Sequence, residues 1–186
     1  MPKITVFNNL SLDGYFTDAT GDMSWAHKQD PEWVAFTAEN ARGEGAMLFG
    51  RVTYQMMAAW WPTPAALAAF KVVADRMNSA PKYVLSRTLD TLSWQNSTLL
   101  KGDAVSAVRK LKSDAGPDIV MFGSGQIVAL LTDAGLIDEY QLATAPIVLG
   151  AGRTLFEGLT KKIALKRTKT RAFENGTVFS CYEPAG

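Results

Sequence analysis

Cysteine and histidine are nearly missing from this chain of 186 residues, which contains one of each, Cys181 and His27. One cysteine excludes an internal disulfide and a cysteine-rich zinc site, and one histidine excludes a histidine-rich site, so we expect no metal. A Ser-His-Asp triad would need His27, and no Gly-x-Ser-x-Gly elbow precedes a helix, which argues against hydrolase chemistry. Cys181 lies in the apolar run TVFSCY, which predicts a buried structural thiol, and His27 lies in a polar loop, which predicts a solvated side chain.

An excess of charge of one sign and long apolar runs are missing as well. The net charge of +1 provides no basic surface for nucleic acid. No apolar run approaches the length that crosses a bilayer, and the N-terminus MPKITVFNNL has no charged and then apolar leader with a cleavage site. With 47% hydrophobic residues, the chain suits one globular domain over residues 1–186. We therefore expect a cytoplasmic protein that binds neither nucleic acid nor membrane.

The most informative segment that the chain does contain is a strand, a glycine turn and a helix start in direct succession. The apolar run IVMF ends in Gly123, Ser124 and Gly125, and Gln126 then opens a helical pattern. Such a junction presents unpaired backbone N–H groups and the positive end of a helix dipole, which together attract a phosphate. Small residues let the backbone approach the anion closely. The same pattern is also typical of a plain structural turn, so this segment alone does not decide between the two.

Two earlier segments place arginine at the end of a predicted strand. In LFGRVTYQ, Gly50, Arg51 and Thr53 lie at a strand-to-helix junction, and in YVLSRTL, Ser86 and Arg87 follow a strand. Ligands of open α/β sheets bind outside the carboxyl ends of the strands, so the three segments are predicted to converge. Two arginines and two helix N-termini suit a ligand with several phosphates. Each arginine taken singly is better explained as a solvated surface charge.

The order of the predicted elements is a series of βαβ units followed by an antiparallel hairpin. The first strand is predicted over residues 3–8, a long loop over 15–30, and an alanine-rich helix over 65–78. Two β-rich runs, 163–173 and 177–182, are joined by an Asn-Gly pair, which predicts a tight hairpin. The fold class is therefore α/β, with a mixed, mainly parallel sheet flanked by helices.

Together these segments resemble the dihydrofolate reductase superfamily, and especially its branch related to the reductase domain of riboflavin biosynthesis. The resemblance covers nearly the whole chain. It is carried by NNLSLDGYF, LFGRVTYQMMAAWWP, YVLSR, MFGSGQIVALL and LIDEYQLATAPIVLGAGRTLF. It implies an eight-stranded mixed sheet with a C-terminal antiparallel hairpin, and a binding site for NADPH.

The resemblance also implies a place for each part of NADPH. Arg51 and Thr53 would contact its phosphates, and Ser86 and Arg87 would lie near the adenosine 2′-phosphate. The pyrophosphate would be held at the helix start by Gly123, Ser124, Gly125 and Gln126. Charge-assisted hydrogen bonds from the two arginines to a 2′-phosphate favour NADPH over NADH. The family's lid corresponds to residues 15–25 and would close over the nicotinamide.

Hydride transfer is the chemistry of the cofactor, so the protein has to supply placement and help with a proton. In dihydrofolate reductases a carboxylate near the start of the first helix holds the pterin, and the matching candidates are Asp30 and Glu32. Trp25 resembles the family's tryptophan at a similar spacing. A partly buried acid at this place would have a raised pKa, as a proton relay needs. Asp30 also precedes Pro31 as an N-cap would, and that role alone explains its position.

The substrate side departs from the family pattern. Riboflavin-pathway reductases commonly have acids flanking two of these strands, and here Gly45 and Phe122 occupy those places. Trp60 and Trp61 are predicted to form the floor of a pocket for a flat heterocycle, with Asp13 at its mouth. The two tryptophans are equally explained as core residues, and Asp13 as part of an Asp-Gly turn.

The resulting prediction is an NADPH-dependent reductase of a pterin- or pyrimidine-like heterocycle. One alternative is reduction of 5-amino-6-(5-phosphoribosylamino)uracil in riboflavin biosynthesis. Another is a noncatalytic NADP-binding module that keeps the phosphate site but lacks an acid in the pocket. Family relatives are often dimers, and the apolar stretch 146–149 could pair with a second copy. We therefore expect a homodimer that binds a small heterocyclic substrate.

Overall fold

Strands and helices alternate along most of the chain, of which the computed structural model describes residues 1–26 and 30–185. The strands are β1 (Ile4–Leu10), β2 (Tyr15–Asp18), β3 (Ala46–Gly50), β4 (Lys82–Leu85), β5 (Ser97–Leu100), β6 (Ile119–Phe122), β7 (Glu139–Thr144), β8 (Gly152–Thr154), β9 (Leu165–Ala172) and β10 (Val178–Pro184). The helices are α1 (Pro31–Asn40), α2 (Arg51–Trp60), α3 (Pro64–Ala69), α4 (Lys71–Ser79), α5 (Ala104–Ser113) and α6 (Gly125–Asp133), with a short 3-10 helix at Ser24–Ala26. His27, predicted to be solvated, lies outside the described residues.

Eight strands form one mixed sheet in the order β5-β4-β3-β6-β1-β7-β10-β9. Every neighbouring pair from β5 to β7 is parallel, and β10 is antiparallel to both β7 and β9. The prediction of an α/β fold with a mainly parallel, eight-stranded sheet and an antiparallel C-terminal hairpin is therefore confirmed. Strands β2 and β8 form a separate two-stranded antiparallel sheet.

Each strand divides its apolar side chains between the two faces of the sheet, because successive residues point in opposite directions. On one face, a buried cluster joins the strands to α5 and α6 and includes Ile4, Val6, Leu48, Met121, Val108, Val128 and Leu131. On the other face, Met47 and Phe49 pack with residues of α2 and α4, and Phe179 packs with α1. The sheet is thus covered on both sides, as a mainly parallel sheet requires.

The starts of three helices are fixed by local caps. The Asp30 side chain accepts a hydrogen bond from the backbone N–H of Trp33 at 2.8 Å, and Pro31 occupies the first turn of α1. In α5, Asp103 accepts from the N–H of Ser106 at 2.8 Å. Thr63 caps α3 in the same way. Short polar side chains followed by helix-compatible residues are enough to start these helices.

The single helix predicted over 65–78 is wrong, because the chain there forms two helices, α3 and α4, that meet at Phe70. This residue has φ −140° and ψ 51°, which belongs to neither helix. Its side chain lines the cavity described below. Phe70 is a weaker helix former than the alanines before it, but the difference is only a few tenths of a kcal/mol, which is too small to predict a break at this residue.

The loop predicted over 15–30 is wrong in part, because residues 15–18 form β2. Its partner β8 lies more than 130 residues further along the chain, where the sequence predicts only a turn. The absence of a side chain on Gly152 permits this pairing, since a Cβ there would collide with the carbonyl of Thr17. A pairing over such a distance leaves no local pattern in either segment.

The outer strand β9 and its neighbour β10 form the predicted hairpin. All eight residues of β9 are exposed, and four of them are cations, Lys166, Arg167, Lys169 and Arg171. Cys181 on β10 is buried, and burial raises the pKa of its thiol to about 11. A thiol with so high a pKa is protonated and unreactive at neutral pH, so the prediction of a buried structural cysteine is confirmed.

In the described part of the chain, the helices are all too short or too polar to cross a membrane. Nor do the described histidine, cysteine, aspartate and glutamate side chains form a group of three or more that could hold a metal ion.

Candidate functional site

A cavity of about 780 Å³ lies on the face of the sheet that α1, α2 and α4 cover. Its floor is formed by side chains of β1, β3, β6 and β7, namely Phe7, Met47, Val120, Phe122 and Gln141. At one end the cavity reaches the carboxyl ends of β1 and β6, where Asn8 and the segment 123–126 line it. Strand ends of a parallel sheet are the usual place for a ligand.

The walls of the cavity are apolar and rich in methionine. Val52, Met56 and Trp60 are spaced four residues apart on α2, each is more than 40% exposed, and all three line the cavity. Further methionine and aromatic side chains complete the walls, namely Met23, Trp33, Met57, Trp61, Phe70 and Met77. Flexible methionines and flat indole rings suit a planar ligand. The structure thus brings Trp60 and Trp61 to one cavity.

Polar and charged groups are few in this cavity. Of the described residues that line it, the charged ones are Arg76, Arg153 and Glu157. Arg76 donates a hydrogen bond to the carbonyl of Gly45, and desolvation lowers the pKa of its guanidinium. Gly45 and Phe122, which occupy the two places where the resemblance leads us to expect acids, both line the cavity. The described cavity therefore offers little negative charge to a substrate.

At the carboxyl end of β6 the backbone is shaped for an anion. Gly123 and Ser124 both have positive φ, +57° and +63°, and α6 begins immediately after them. The N–H of Gly123 donates to Asn8 Oδ1 at 3.2 Å. In the described chain, no protein group accepts a hydrogen bond from the N–H groups of residues 124–126. Three unpaired N–H groups at a helix start form a site that an anion such as phosphate fits.

The junction after β3 packs directly against this site. Strands β3 and β6 are neighbours with Phe49 opposite Phe122, so Gly50 and the glycine turn lie at the same level. A Cβ on Gly50 would lie 2.7 Å from Ser124 Oγ, closer than atoms can approach. Thr53 Oγ1 would lie 3.2 Å from a Cβ on Gly123. The structure therefore brings Gly50 and Thr53 together with residues 123–126.

The third segment follows β4, on the other side of β3. Gly50 lies opposite Leu85, so Arg51 and Ser86 leave adjacent strands at the same level, where strands are about 4.8 Å apart. Ser86 Oγ accepts from the N–H of Leu89 at 3.0 Å, and Arg51 donates to Gln55 Oε1 at 3.2 Å. Arg51 and Arg87 are exposed. The three segments thus converge on one edge of the sheet, although Gly50, Arg51, Ser86 and Arg87 lie outside the lining of the cavity.

The two predicted acids have partners of their own. Asp30 caps α1, as described above. Glu32 accepts a hydrogen bond from Arg171 at 2.9 Å, and this bond holds the pKa of the Glu32 carboxyl below its usual value. The expectation of a raised pKa is therefore wrong for Glu32, because a cation on β9 stabilises its charged form. Neither acid is among the residues that line the cavity.

Trp25 and Asp13 are not among the residues that line the cavity. The indole Nε1 of Trp25 is buried, and no described residue accepts a hydrogen bond from it, while its neighbours Met23 and Ala26 line the cavity. The Asp13 carboxylate accepts from the N–H of Leu149 at 3.1 Å and of Gly150 at 2.8 Å. Bonds to Ser11 and to these two N–H groups lower the pKa of Asp13. Asp13 thus fixes a loop in this structure.

Asn8, Arg76 and Arg153 also line the cavity, and none of them was predicted from the sequence. The sequence contains a signal for Asn8, because a polar side chain there interrupts the apolar alternation of β1. In the structure Asn8 is 4% exposed. A buried side-chain amide normally has a hydrogen-bond partner, and here Asn8 Oδ1 accepts a hydrogen bond from the N–H of Gly123. The sequence contains no comparable signal for Arg76 and Arg153, because their positions in the cavity depend on how α4 and β8 pack.

Comparison with known proteins supports the same architecture. The chain is 30% identical over 173 residues to the uncharacterized protein YyaP of Bacillus subtilis (strain 168), covering 93% of this chain and 90% of that protein. A Shewanella sp. PV-4 protein whose name assigns it to riboflavin biosynthesis has a similar structure, with a TM-score of 0.75, 25% identity and 99% coverage of both chains. Dihydrofolate reductase from Enterococcus faecalis shares the fold, with a TM-score of 0.65 at 13% identity, covering 99% of this chain and 97% of that chain.

Almost the whole length of the chain matches one family of domains. The match runs over residues 2–179, from just before β1, the first strand in the chain, into β10, the last one. It includes all three segments that converge at the carboxyl ends of β3, β4 and β6. The chain belongs to the RibD C-terminal domain family.

Proposed function

We propose that this protein is a reductase that uses NADPH to reduce a planar heterocycle of the pterin or pyrimidine type. The observation that carries the proposal is the set of three unpaired N–H groups at residues 124–126, next to an apolar cavity. The fold is that of reductases, and the neighbour from Enterococcus faecalis is a dihydrofolate reductase complexed with NADP(H). Its name supports a nicotinamide cofactor for this chain.

The residues present fit NADPH at each of its charged parts. The pyrophosphate would accept hydrogen bonds from the N–H groups of residues 124–126, and Gly50 leaves room for the close packing of this segment. Arg51 and Arg87, which are exposed at the neighbouring strand ends, would pair with the remaining phosphate, the 2′-phosphate of the adenosine. The nicotinamide end would enter the cavity beside Thr53 and Asn8.

The protein's own part in the reaction would be to hold and orient two rings and to exclude water. Bound NADPH supplies the hydride. The indole and thioether side chains of α2 would hold the acceptor flat against the sheet, since Met56 and Trp60 face the cavity. Strand β2 and the turn after it, with Phe16, Thr17 and Met23 in the lining, would close the cavity toward solvent. Such placement alone can contribute several kcal/mol to a rate.

Calorimetric titration of the purified protein with NADPH and NADH tests the proposal directly. We expect NADPH to bind more tightly than NADH, because only NADPH carries a 2′-phosphate. Arg51→Ala or Arg87→Ala should weaken NADPH about tenfold or more, which corresponds to one lost charge-assisted hydrogen bond, and should leave NADH nearly unchanged. Equal losses for both cofactors would contradict the assignment of the arginines to the 2′-phosphate. A wild-type protein that binds neither cofactor would rule out the proposed function.

Asp30 remains the proposed acid, and one substitution separates its charge from its capping role. Asp30→Asn retains a good N-cap, since asparagine and aspartate cap helices equally well. We therefore expect unchanged stability, nearly unchanged NADPH affinity, and a turnover lowered about tenfold or more, as expected for loss of a proton donor. Steady-state rates with dihydrofolate, biopterins and aminouracils provide the measurement. A variant with the full rate would remove Asp30 from the mechanism.

A noncatalytic NADP-binding module is the second candidate, and one observation favours it. Among the described residues that line the cavity, Glu157 is the only carboxylate. The same panel of heterocycles decides between the two candidates. NADPH binding without oxidation of NADPH by any acceptor would favour the binding module, and the aminouracil of riboflavin biosynthesis tests the family's pathway separately.

A further inference from the structure

The two-stranded sheet of β2 and β8 places Arg153 beside the turn at residues 123–125. Strand β8 runs between β2 and the start of α6. A glycine permits its close contact with each of these two neighbours. A Cβ on Gly152 would collide with the carbonyl of Thr17 in β2, and a Cβ on Gly125 would collide with the carbonyl of Thr154 in β8. The central residue of β8, Arg153, is therefore held next to the N-terminus of α6.

The surroundings of Arg153 leave its guanidinium available to a ligand. The residue is exposed, and it lines the cavity together with Gly125 and Gln126. No described carboxylate forms an ion pair with it. Thr17, which is opposite Arg153 in the β2–β8 pair, also lines the cavity. A cation held without a partner beside unpaired N–H groups raises the positive potential at one point.

We infer that Arg153 binds the diphosphate of the cofactor and, with the N–H groups of residues 124–126, forms a two-sided anion site. The inference rests on the proposed function, since it assigns a further residue to the same cofactor. The N–H groups at the start of α6 contact some of the diphosphate oxygens, and the guanidinium of Arg153 contacts others. The bidentate fork of arginine matches the oxygens of a phosphate. Arg51 and Arg87, which follow β3 and β4, serve the 2′-phosphate end instead.

Three probes separate these two ends of the cofactor. Inorganic pyrophosphate represents the diphosphate alone, 2′-AMP represents the 2′-phosphate end, and NADPH contains both. Arg153→Ala should weaken NADPH and inorganic pyrophosphate about tenfold, the usual effect of one lost charge-assisted bond, and should leave 2′-AMP within about twofold. Arg87→Ala should have the reverse pattern on the two fragments. Arg153→Lys keeps the charge without the fork, so its losses should be intermediate.

The matched control is Arg167→Ala, an exposed arginine on β9 at the far edge of the sheet, which should change none of the three affinities. Unchanged binding of pyrophosphate and NADPH by Arg153→Ala would overturn the inference, and so would an equal loss of 2′-AMP. Wild-type protein that binds pyrophosphate through Arg153 but not NADPH would sustain the anion site and refute the proposed cofactor. Wild-type protein that binds neither would overturn both.

Discussion

Replacing Gly125 by alanine should lower the free energy of unfolding by about 2–3 kcal/mol, the upper part of the range for overpacking in a tightly packed region. The added Cβ would collide with the carbonyl oxygen of Thr154 and lie 3.2 Å from Phe16 Cε1. The carbonyl belongs to the backbone of β8, so it cannot swing away as a side chain can. Strand β8 would have to separate from α6, and NADPH affinity should fall with stability.

The sign of this effect is informative because helix propensity alone predicts the opposite. Gly125 is the first residue of α6, and alanine is favoured over glycine within a helix by up to about 1 kcal/mol. Urea denaturation monitored by tryptophan fluorescence measures the change. Gly116→Ala is the matched control, because its Cβ would lie 3.9 Å from the nearest atom, Pro2 Cγ. A Gly125→Ala protein as stable as the wild type would show that β8 does not pack on α6 as described.

Replacing Lys82 by methionine should lower the free energy of unfolding by about 2 kcal/mol at pH 7, because buried carbonyls would lose their donor. Lys82 is 1% exposed, and its Nζ donates to the carbonyls of Asn78, Ala80 and Gln95 at 2.8–3.1 Å. The ammonium also lies 4.5 Å from the centre of the Trp94 ring. These contacts tie the end of α4 to the segment before β5.

The same substitution should have a pH dependence of known sign. Burial lowers the pKa of Lys82 from 10.5 to about 8 in the folded protein, with a smaller contribution from Arg76. Between pH 8 and 10.5 the unfolded chain therefore binds more protons than the folded one, and stability rises with pH. We expect the advantage of the wild type over Lys82→Met to grow by about 1–2 kcal/mol across this window, since the carbonyl contacts moderate the full shift.

Denaturation curves at pH 7, 8, 9 and 10 provide the measurement. Lys71→Met is the matched control, because Lys71 forms only an exposed ion pair with Asp75 and should contribute less than about 1 kcal/mol. A constant difference between wild type and Lys82→Met over the whole range would contradict the lowered pKa. A Lys82→Met protein more stable than the wild type at pH 7 would mean that burial of the charge outweighs its three hydrogen bonds.

Much of the architecture follows from local patterns that the sequence displays openly. The junction from β6 through Gly123 and Gly125 into α6 was predicted from an apolar run, two glycines and a helical period, and the structure has each of these elements. Asp30 before Pro31 predicted a cap, and the hydrogen bond to Trp33 is present. These features depend on residues that are close together in the chain, so they can be predicted from the sequence.

The features that the sequence analysis missed depend on contacts between distant segments. The β2–β8 pair joins residues more than 130 positions apart, and the break at Phe70 lies where the chain reaches the cavity that residues of several distant elements line. Glu32 was predicted as an acid with a raised pKa, yet its partner Arg171 lies on the last hairpin, 139 residues further on. Arg153 was not predicted for the same reason, since no residue near it in the chain indicates that β8 packs against α6.

The exposed, cationic strand β9 has a consequence for how copies of this protein can associate. The free side of an outer strand offers unpaired backbone groups on which a further strand could assemble, and lysine and arginine there are a known deterrent. Of its four cations, only Arg171 has an acidic partner among the described residues. Two copies that met along β9 would therefore repel each other. The cations of β9 therefore disfavour a twofold contact at this strand, in contrast to the uncharged loop around Val148, which is 65% exposed.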